Sequence, residues 1–106
     1  MNRIGLTDRK GKWFDADKAT RFKEDLAYDG RKFVSKATGS AFEHEWLYIT
    51  TGNKFVLYSF SNYQGQPETF KLINLEDAAN WFTKQEFSDE EIPEIFHEQV
   101  SKTEII

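Results

Sequence analysis

Two aromatic-rich runs on either side of a glycine-containing turn constrain the fold of this chain most strongly. The runs are Glu45–Thr50 and Phe55–Phe60, and each is dominated by aromatic and branched aliphatic residues, the types that favour β-strands. Gly52 and Asn53 lie between them and suit the backbone of a tight turn. The pattern therefore predicts a β-hairpin.

The predicted register of this hairpin places apolar side chains on both faces. With Gly52 and Asn53 as a two-residue loop, Ile49 pairs with Val56 and Leu47 with Tyr58. Because strand side chains alternate between faces, one face carries Leu47, Ile49, Val56, Tyr58 and Phe60, and the other carries Trp46, Tyr48, Thr50, Phe55 and Leu57. Both faces must be covered, one by helices and the other by the N-terminal segment or a partner.

The C-terminal half predicts a third strand followed by helices. Residues 69–73 alternate like a strand, and Asn74 then caps a helix whose apolar side chains recur at helical spacing to about residue 85. A short final helix is expected near Pro93, which fits a first helical turn. The predicted fold class is α+β: an antiparallel meander of three to five strands, with the helix at about 75–85 packed on one face and a short C-terminal helix.

Two segments of the N-terminal third could each adopt one of two structures. Residues 1–12 form either a flexible arm or a strand at a sheet edge. Residues 16–26 form either a helix capped by Asp15 or an edge strand with Phe22 on its apolar side. Phe33 and Val34, after the turn at Asp29 and Gly30, predict a further strand.

Length and composition narrow the classes of protein to which this chain could belong. A chain of 106 residues fits one domain, 1–106. The formal charge of −4 disfavours a nucleic-acid partner. The absence of cysteine excludes disulfides and thiolate chemistry and favours the cytoplasm, and no apolar run is long enough for a membrane span.

Catalytic candidates are few. Ser40, His44 and Glu45 are the residues on which a small enzyme could be centred, and a solvent-open cleft joining their side chains is the minimum requirement. The two histidines lack the spacing of a metal site. We therefore expect no enzyme activity, no metal and no cofactor.

Binding candidates fall into three groups. Exposed rings and amides suit recognition of a protein, and an acidic stretch would attract a basic partner. The candidate partner-binding residues are Trp46, Tyr48 and Phe55 on the sheet, Tyr63, Gln64 and Gln66 in a loop, and Asp89, Glu90, Glu91 and Glu94 in the acidic stretch. The alternative is a nucleic-acid-associated module that uses the aromatic sheet face with Arg3, Arg9, Lys10 and Lys12.

The stretch from Ser35 to Gly65 also carries a resemblance. It contains Ser-Lys-Ala-Thr-Gly-Ser at 35–40, His44-Glu45, Leu47-Tyr48, Thr50 and Gln64-Gly65, and Ala78-Ala79 and Trp81 follow. This pattern resembles a small family of uncharacterised prokaryotic proteins linked to plasmids, phages and other mobile elements. The resemblance implies an accessory or conflict-related role and brings no activity with it.

The sequence thus predicts a small acidic protein that binds a macromolecule. The expected function is that of an inhibitor or immunity-type protein of a mobile element, which occludes a protein partner. A homodimer is left open as the assembly state.

Overall fold

A four-stranded antiparallel sheet is the centre of the fold. The computed structural model describes residues 1–63 and 65–106. In chain order the strands are β1 (Arg3–Gly5), β2 (Trp13–Asp15), β3 (Thr20–Lys23), β4 (Leu26–Tyr28), β5 (Phe33–Ser35), β6 (Glu43–Ile49), β7 (Phe55–Ser61) and β8 (Thr69–Ile73). Strands β3, β6, β7 and β8 form the central sheet in that order, and β1 with β2 and β4 with β5 form separate two-stranded pairs. The α+β class and the antiparallel meander of β6, β7 and β8 are confirmed.

The β6–β7 hairpin is present, but its predicted register is wrong by one residue. Ile49 pairs with Phe55 and not with Val56. The loop has three residues and not two, because Asn53 adopts the left-handed conformation with φ of 57° and donates its N–H to the Thr50 carbonyl. A shift of one residue moves every side chain of the second strand to the opposite face.

The corrected register regroups the two faces. Leu47, Ile49, Phe55 and Leu57 now share one face, and Trp46, Tyr48, Val56, Tyr58 and Phe60 share the other. Phe55 therefore does not lie beside Trp46 and Tyr48 as expected.

Helix α1 (Leu75–Thr83) covers the first of these faces. The Asn74 side chain accepts the Asp77 N–H at 2.8 Å, which confirms the predicted N-cap. The helix ends two residues before the expected boundary. Ala78, Ala79, Trp81 and Phe82 are buried against Leu47, Ile49 and Phe55 in the larger core.

The C-terminal segment begins its helical structure after Pro93, as predicted. The Ser88 hydroxyl donates to Glu91 at 2.9 Å, and the residues between them form a turn and not a helix. A 3₁₀ turn follows at Glu94–Phe96, and α2 is His97–Lys102. The ring of Phe96 lies 5.1 Å from the ring of Phe55 and extends the larger core.

The helical alternative for residues 16–26 is wrong, and the strand alternative holds only for Thr20–Lys23, because Leu26 begins the separate strand β4. Asp15 does cap a turn, since its carboxylate accepts the Asp17 N–H at 3.1 Å. The chain then extends as β3 because residues 20–23 pair with residues 46–49 of β6. The backbone hydrogen bonds of that pairing, together with the burial of Phe22, override the weak helical spacing.

Residues 1–19 form a layer on the second face of the sheet, called here the N-terminal layer. Strands β1 and β2 pair antiparallel, and Phe14 packs on Tyr48 and Val56. The Thr7 N–H donates to the Phe70 carbonyl at 2.7 Å, and the Phe70 N–H donates to the Thr7 hydroxyl at 2.8 Å. Residues 1–12 thus pair with β2 and contact the edge strand β8 through Thr7, and both apolar faces of the sheet are covered by the chain itself over part of their length.

Candidate functional site

Two of the predicted sheet residues are structural. Tyr48 is 7% exposed in the smaller core, and Phe55 is 6% exposed in the larger core. Neither ring has a surface available to a macromolecule in this conformation. Their aromatic character is explained by packing.

Trp46 lies on the part of the second face that extends beyond the N-terminal layer. Its indole is half-buried and contacts the rings of Tyr58 and Phe60 edge-on, with centroids 5.6 and 5.2 Å away. The Arg21 guanidinium and the Lys23 ammonium lie 4.8 and 5.2 Å from the indole centroid. The basic groups beside Trp46 therefore come from β3, and not from the N-terminal residues that the sequence suggested.

Those N-terminal basic residues lie elsewhere. The Arg3 guanidinium is 4.6 Å from the Trp13 ring, Arg9 and Lys12 border a cavity beside the N-terminal layer, and Lys10 is exposed in the turn between β1 and β2. They do not form a single basic surface with Trp46.

The loop candidates are only partly assembled. Tyr63 is exposed and stacks on Phe42, with ring centroids 4.6 Å apart. Gln66 is exposed and lines a small cavity beside the ends of β6 and β7. Gln64 lies outside the described residues.

A group of large apolar side chains, of which sequence reasoning identified only Tyr63, is exposed around the β4–β5 pair. Tyr28 and Phe33 face each other across the two strands with ring centroids 5.2 Å apart, and the Lys32 ammonium lies 5.4 Å from the Phe42 ring. We call this group the aromatic surface; its members and their exposed fractions are Leu26 (51%), Tyr28 (62%), Phe33 (61%), Phe42 (41%) and Tyr63 (55%). The turn at Asp29 and Gly30 between Tyr28 and Phe33 was the sequence signal that could have revealed it.

A groove connects the aromatic surface with Trp46. Its volume is about 270 Å³, and its lining combines the apolar side chains of Leu26, Trp46 and Phe60 with Glu24 and His44. Lys23 and Asn62 stand at its border. The groove has the size and lining to take one apolar side chain of a partner.

The acidic candidates lie in the turn at Asp89–Glu91 and at the first residue of the 3₁₀ segment, Glu94. Asp89, Glu90, Glu91 and Glu94 are all exposed, next to the buried Ile92. Glu91 accepts the Ser88 N–H at 3.0 Å, and this hydrogen bond is the main reason that the pKa of its carboxyl is lowered. Ile92 and Phe96 anchor this turn in the larger core, on the helical side of the sheet, whereas Trp46 points to the other side.

The three catalytic candidates do not share one cleft. Ser40 uses its hydroxyl oxygen to accept the N–H groups of Phe42 and Glu43, at 3.0 and 3.2 Å. The cavity of about 250 Å³ that His44 and Glu45 line does not include Ser40 among its walls. Ser40 therefore does not share this cavity with His44 and Glu45.

His44 instead belongs to a network with a buried carboxylate. Its Nδ1 lies 2.9 Å from Oε2 of Glu24, and Oε1 of Glu24 accepts the Glu45 N–H at 2.7 Å. With the proton on Nδ1, the Nε2 atom accepts the Asn62 amide N–H at 3.1 Å. Each polar atom at the centre of this network thus has a partner within the chain, which is typical of a structural role.

Among the described residues, no cluster of three or more His, Asp or Glu side chains could hold a metal ion. In the same part of the chain, every helix is too short or too polar to cross a bilayer.

Comparison with protein families, with curated proteins and with solved structures finds no match to this chain.

Proposed function

We propose that this protein is a binding module that docks a protein partner on its aromatic surface and the adjoining groove. The observation that supports this proposal most strongly is the exposure of five large apolar side chains, each at least 41% exposed, around one two-stranded pair. Tyr28 packs on Phe33, Phe42 packs on Tyr63, and Lys32 of the β4–β5 turn lies against Phe42. Exposed apolar groups of this kind are characteristic of interaction sites on proteins. Aromatic side chains also supply most of the energy at protein interfaces.

The partner proposed here presents an apolar anchor flanked by carboxylates. Leu26, Trp46 and Phe60 form the apolar walls of the groove that would receive the anchor. Lys23 lines the groove and Lys32 lies against Phe42, and in this proposal these two cations face carboxylates on the partner. This reverses the charge expected for the partner from the acidic stretch alone.

Base stacking on the sheet has less support than protein binding. Arg21 and Lys23 lie against the Trp46 ring, and the ring of Tyr58 is stacked on Phe70 with centroids 4.5 Å apart. A nucleotide would have to displace these intramolecular contacts before it could stack. The negative formal charge of the chain opposes it further.

In this proposal the protein acts by covering its partner, as an inhibitor or immunity-type protein of a mobile element does. Nothing beyond a stable surface is required for such a role, because occlusion needs affinity and not a reaction. The mobile-element association remains a prediction from the resemblance.

The test compares capture by three forms of the protein from a lysate of the native cells, followed by direct binding measurements with each purified candidate. The forms are the wild type, Tyr28→Ser/Phe33→Ser, and Asp89→Asn/Glu94→Gln. We expect a partner that binds the wild type and the acidic-turn variant, and that binds the aromatic variant roughly 30-fold more weakly or worse. Because both replaced rings are largely exposed, the aromatic variant should keep its fold, which circular dichroism checks.

Three outcomes would contradict the proposal. A partner lost only from the Asp89→Asn/Glu94→Gln variant would place the interface at the acidic turn. A sedimentation mass that rises with concentration for the wild type, and not for the aromatic variant, would show self-association through this surface. Retardation of single- or double-stranded oligonucleotides in a low-salt gel shift would favour a nucleic-acid partner instead.

A further inference from the structure

A cavity lies between the N-terminal layer and the hairpin end of the central sheet. Its volume is about 570 Å³. Sites for small molecules span roughly 300–1,000 Å³, so this cavity is large enough for a complete ligand of modest size.

The floor of the cavity is apolar. Phe14, Val56 and Leu72 line it from the smaller core, and Leu6 and Trp13 add apolar surface from the N-terminal layer. Val56 is fully buried beneath the cavity, so the floor is supported by the sheet. A ligand with an apolar or aromatic body would gain free energy by removing this surface from water.

The border of the cavity is cationic. Arg9, Lys12, Lys18 and Lys54 all line it, and within the described residues none of these four takes part in a salt bridge. Four cations that converge on one concavity raise the local concentration of anions.

One carboxylate, that of Asp15, also lines the cavity, and it is already committed to the fold. Its Oδ1 accepts the N–H groups of Asn2 and Asp17 at 3.0 and 3.1 Å. The four cations at the border therefore remain available to bind a negatively charged group from outside the chain.

We propose that this cavity binds a small amphipathic anion, with its apolar or aromatic body on Phe14, Val56 and Leu72 and its anionic head group among Arg9, Lys12, Lys18 and Lys54. This site is separate from the aromatic surface, and it would stand if the proposed function were wrong. A neighbouring groove of about 460 Å³ shares Arg9, Lys54 and Leu72 with the cavity, so the body of the ligand has room to extend towards α1.

The first test titrates matched pairs of compounds into the intact protein and follows backbone amide resonances by NMR. The pairs are octanoate with octanol, and adenosine monophosphate with adenosine. At least one anion should show saturable shifts at Leu6, Val56 and Leu72 and bind about tenfold more tightly than its uncharged counterpart. Tighter binding of octanoate would indicate that the ligand is a fatty acid, and tighter binding of adenosine monophosphate would indicate a nucleotide. No saturable shift for either anion, or equal binding of each anion and its neutral counterpart, would overturn the proposal.

The second test uses variants matched in chemistry. Lys54→Gln removes a cation from the border, whereas Lys71→Gln removes an exposed strand lysine that does not line the cavity. Lys54→Gln and Arg9→Gln should each weaken binding of the anion identified above about tenfold, and Lys71→Gln should leave it unchanged. Urea unfolding curves establish that each variant remains folded. Equal affinities for all three variants and the wild type would contradict the assignment of the site.

Discussion

The carboxylate of Glu24 lies 2.9 Å from Nδ1 of His44, and together they join β6 to the bend between β3 and β4. The Glu24 side chain is 4% exposed, and its second oxygen accepts the Glu45 N–H. A buried carboxylate with both oxygens engaged fixes the course of the chain at this bend, beside the base of the aromatic surface at Leu26.

Replacing Glu24 should therefore destabilise the fold substantially. Glu24→Ala leaves the His44 ring and the Glu45 N–H without their shared acceptor, which should lower the free energy of unfolding by about 2–4 kcal/mol. Glu24→Gln keeps one acceptor oxygen and should cost less. Urea denaturation measures both, with the exposed neighbour Glu43→Gln as the control. A loss equal to that of the control would show that the buried network does not contribute.

The left-handed conformation of Asn53 should make the hairpin loop selective for residue type. Asn53→Val places a β-branched residue at a φ of 57° and should destabilise the protein by about 1–3 kcal/mol. Asn53→Gly, which meets no such steric cost, should be neutral or slightly stabilising. Thermal unfolding compares the two. Equal effects of valine and glycine would contradict the observed loop geometry.

Acid should weaken the attachment of the N-terminal layer through Asp15. Backbone hydrogen bonding, first from Asn2, lowers the pKa of the Asp15 carboxyl below its ordinary value of 3.8. The folded state thus favours the ionised form, so its contribution to stability is present above pH 3.8 and is lost as the pH falls through the lowered pKa. The difference in unfolding free energy between the wild type and Asp15→Ala should shrink over that range. A difference that does not change with pH would contradict this assignment.

Tyr58 should ionise only at a pH well above the ordinary pKa of a tyrosine. Burial, aided by the hydrogen bond from its hydroxyl to Glu68 at 2.8 Å, raises the pKa of Tyr58 from 10.0 to about 12. The folded state favours the neutral phenol. The contribution of this phenol to the stability of the fold is therefore intact below pH 10.0 and is lost as the pH rises towards 12.

Ultraviolet absorbance at alkaline pH measures this ionisation directly. Glu68→Gln should lower the pKa of Tyr58, because it removes the carboxylate that disfavours the phenolate. Tyr58→Phe should remove the ionisation step near pH 12 from the titration. Persistence of that step in Tyr58→Phe would assign it to another tyrosine.

The parts of the fold that follow from local signals could be predicted from the sequence. The Asn74 cap and the spacing of Ala78, Ala79 and Phe82 identify α1, and the aromatic runs identify β6 and β7. The hairpin register could not be predicted in the same way, because both faces of the ribbon are apolar. An alternation of polar and apolar residues would have shown which side of Phe55 faces the helix. Without that alternation, the register of the hairpin depended on the backbone conformation of one loop residue, Asn53.

The candidate sites depended on contacts between distant residues. Glu24 meets His44 only because β3 pairs with β6, and no local pattern connects them. The aromatic surface likewise requires Phe42 and Tyr63 to meet, although they are 21 positions apart in the sequence, and spacing alone does not predict that contact. Local residue preferences thus located the strands and the helix, and tertiary pairing determined which side chains remained at the surface.

The docking of the N-terminal layer has a consequence for synthesis. Thr7 exchanges backbone and side-chain hydrogen bonds with Phe70, 63 positions later. During translation, Phe14 leaves the ribosome long before β6, β7 and β8 exist to shelter it. The N-terminal layer is therefore made before the strands that shelter it, and a nascent chain halted before residue 73 would still expose that ring to chaperones.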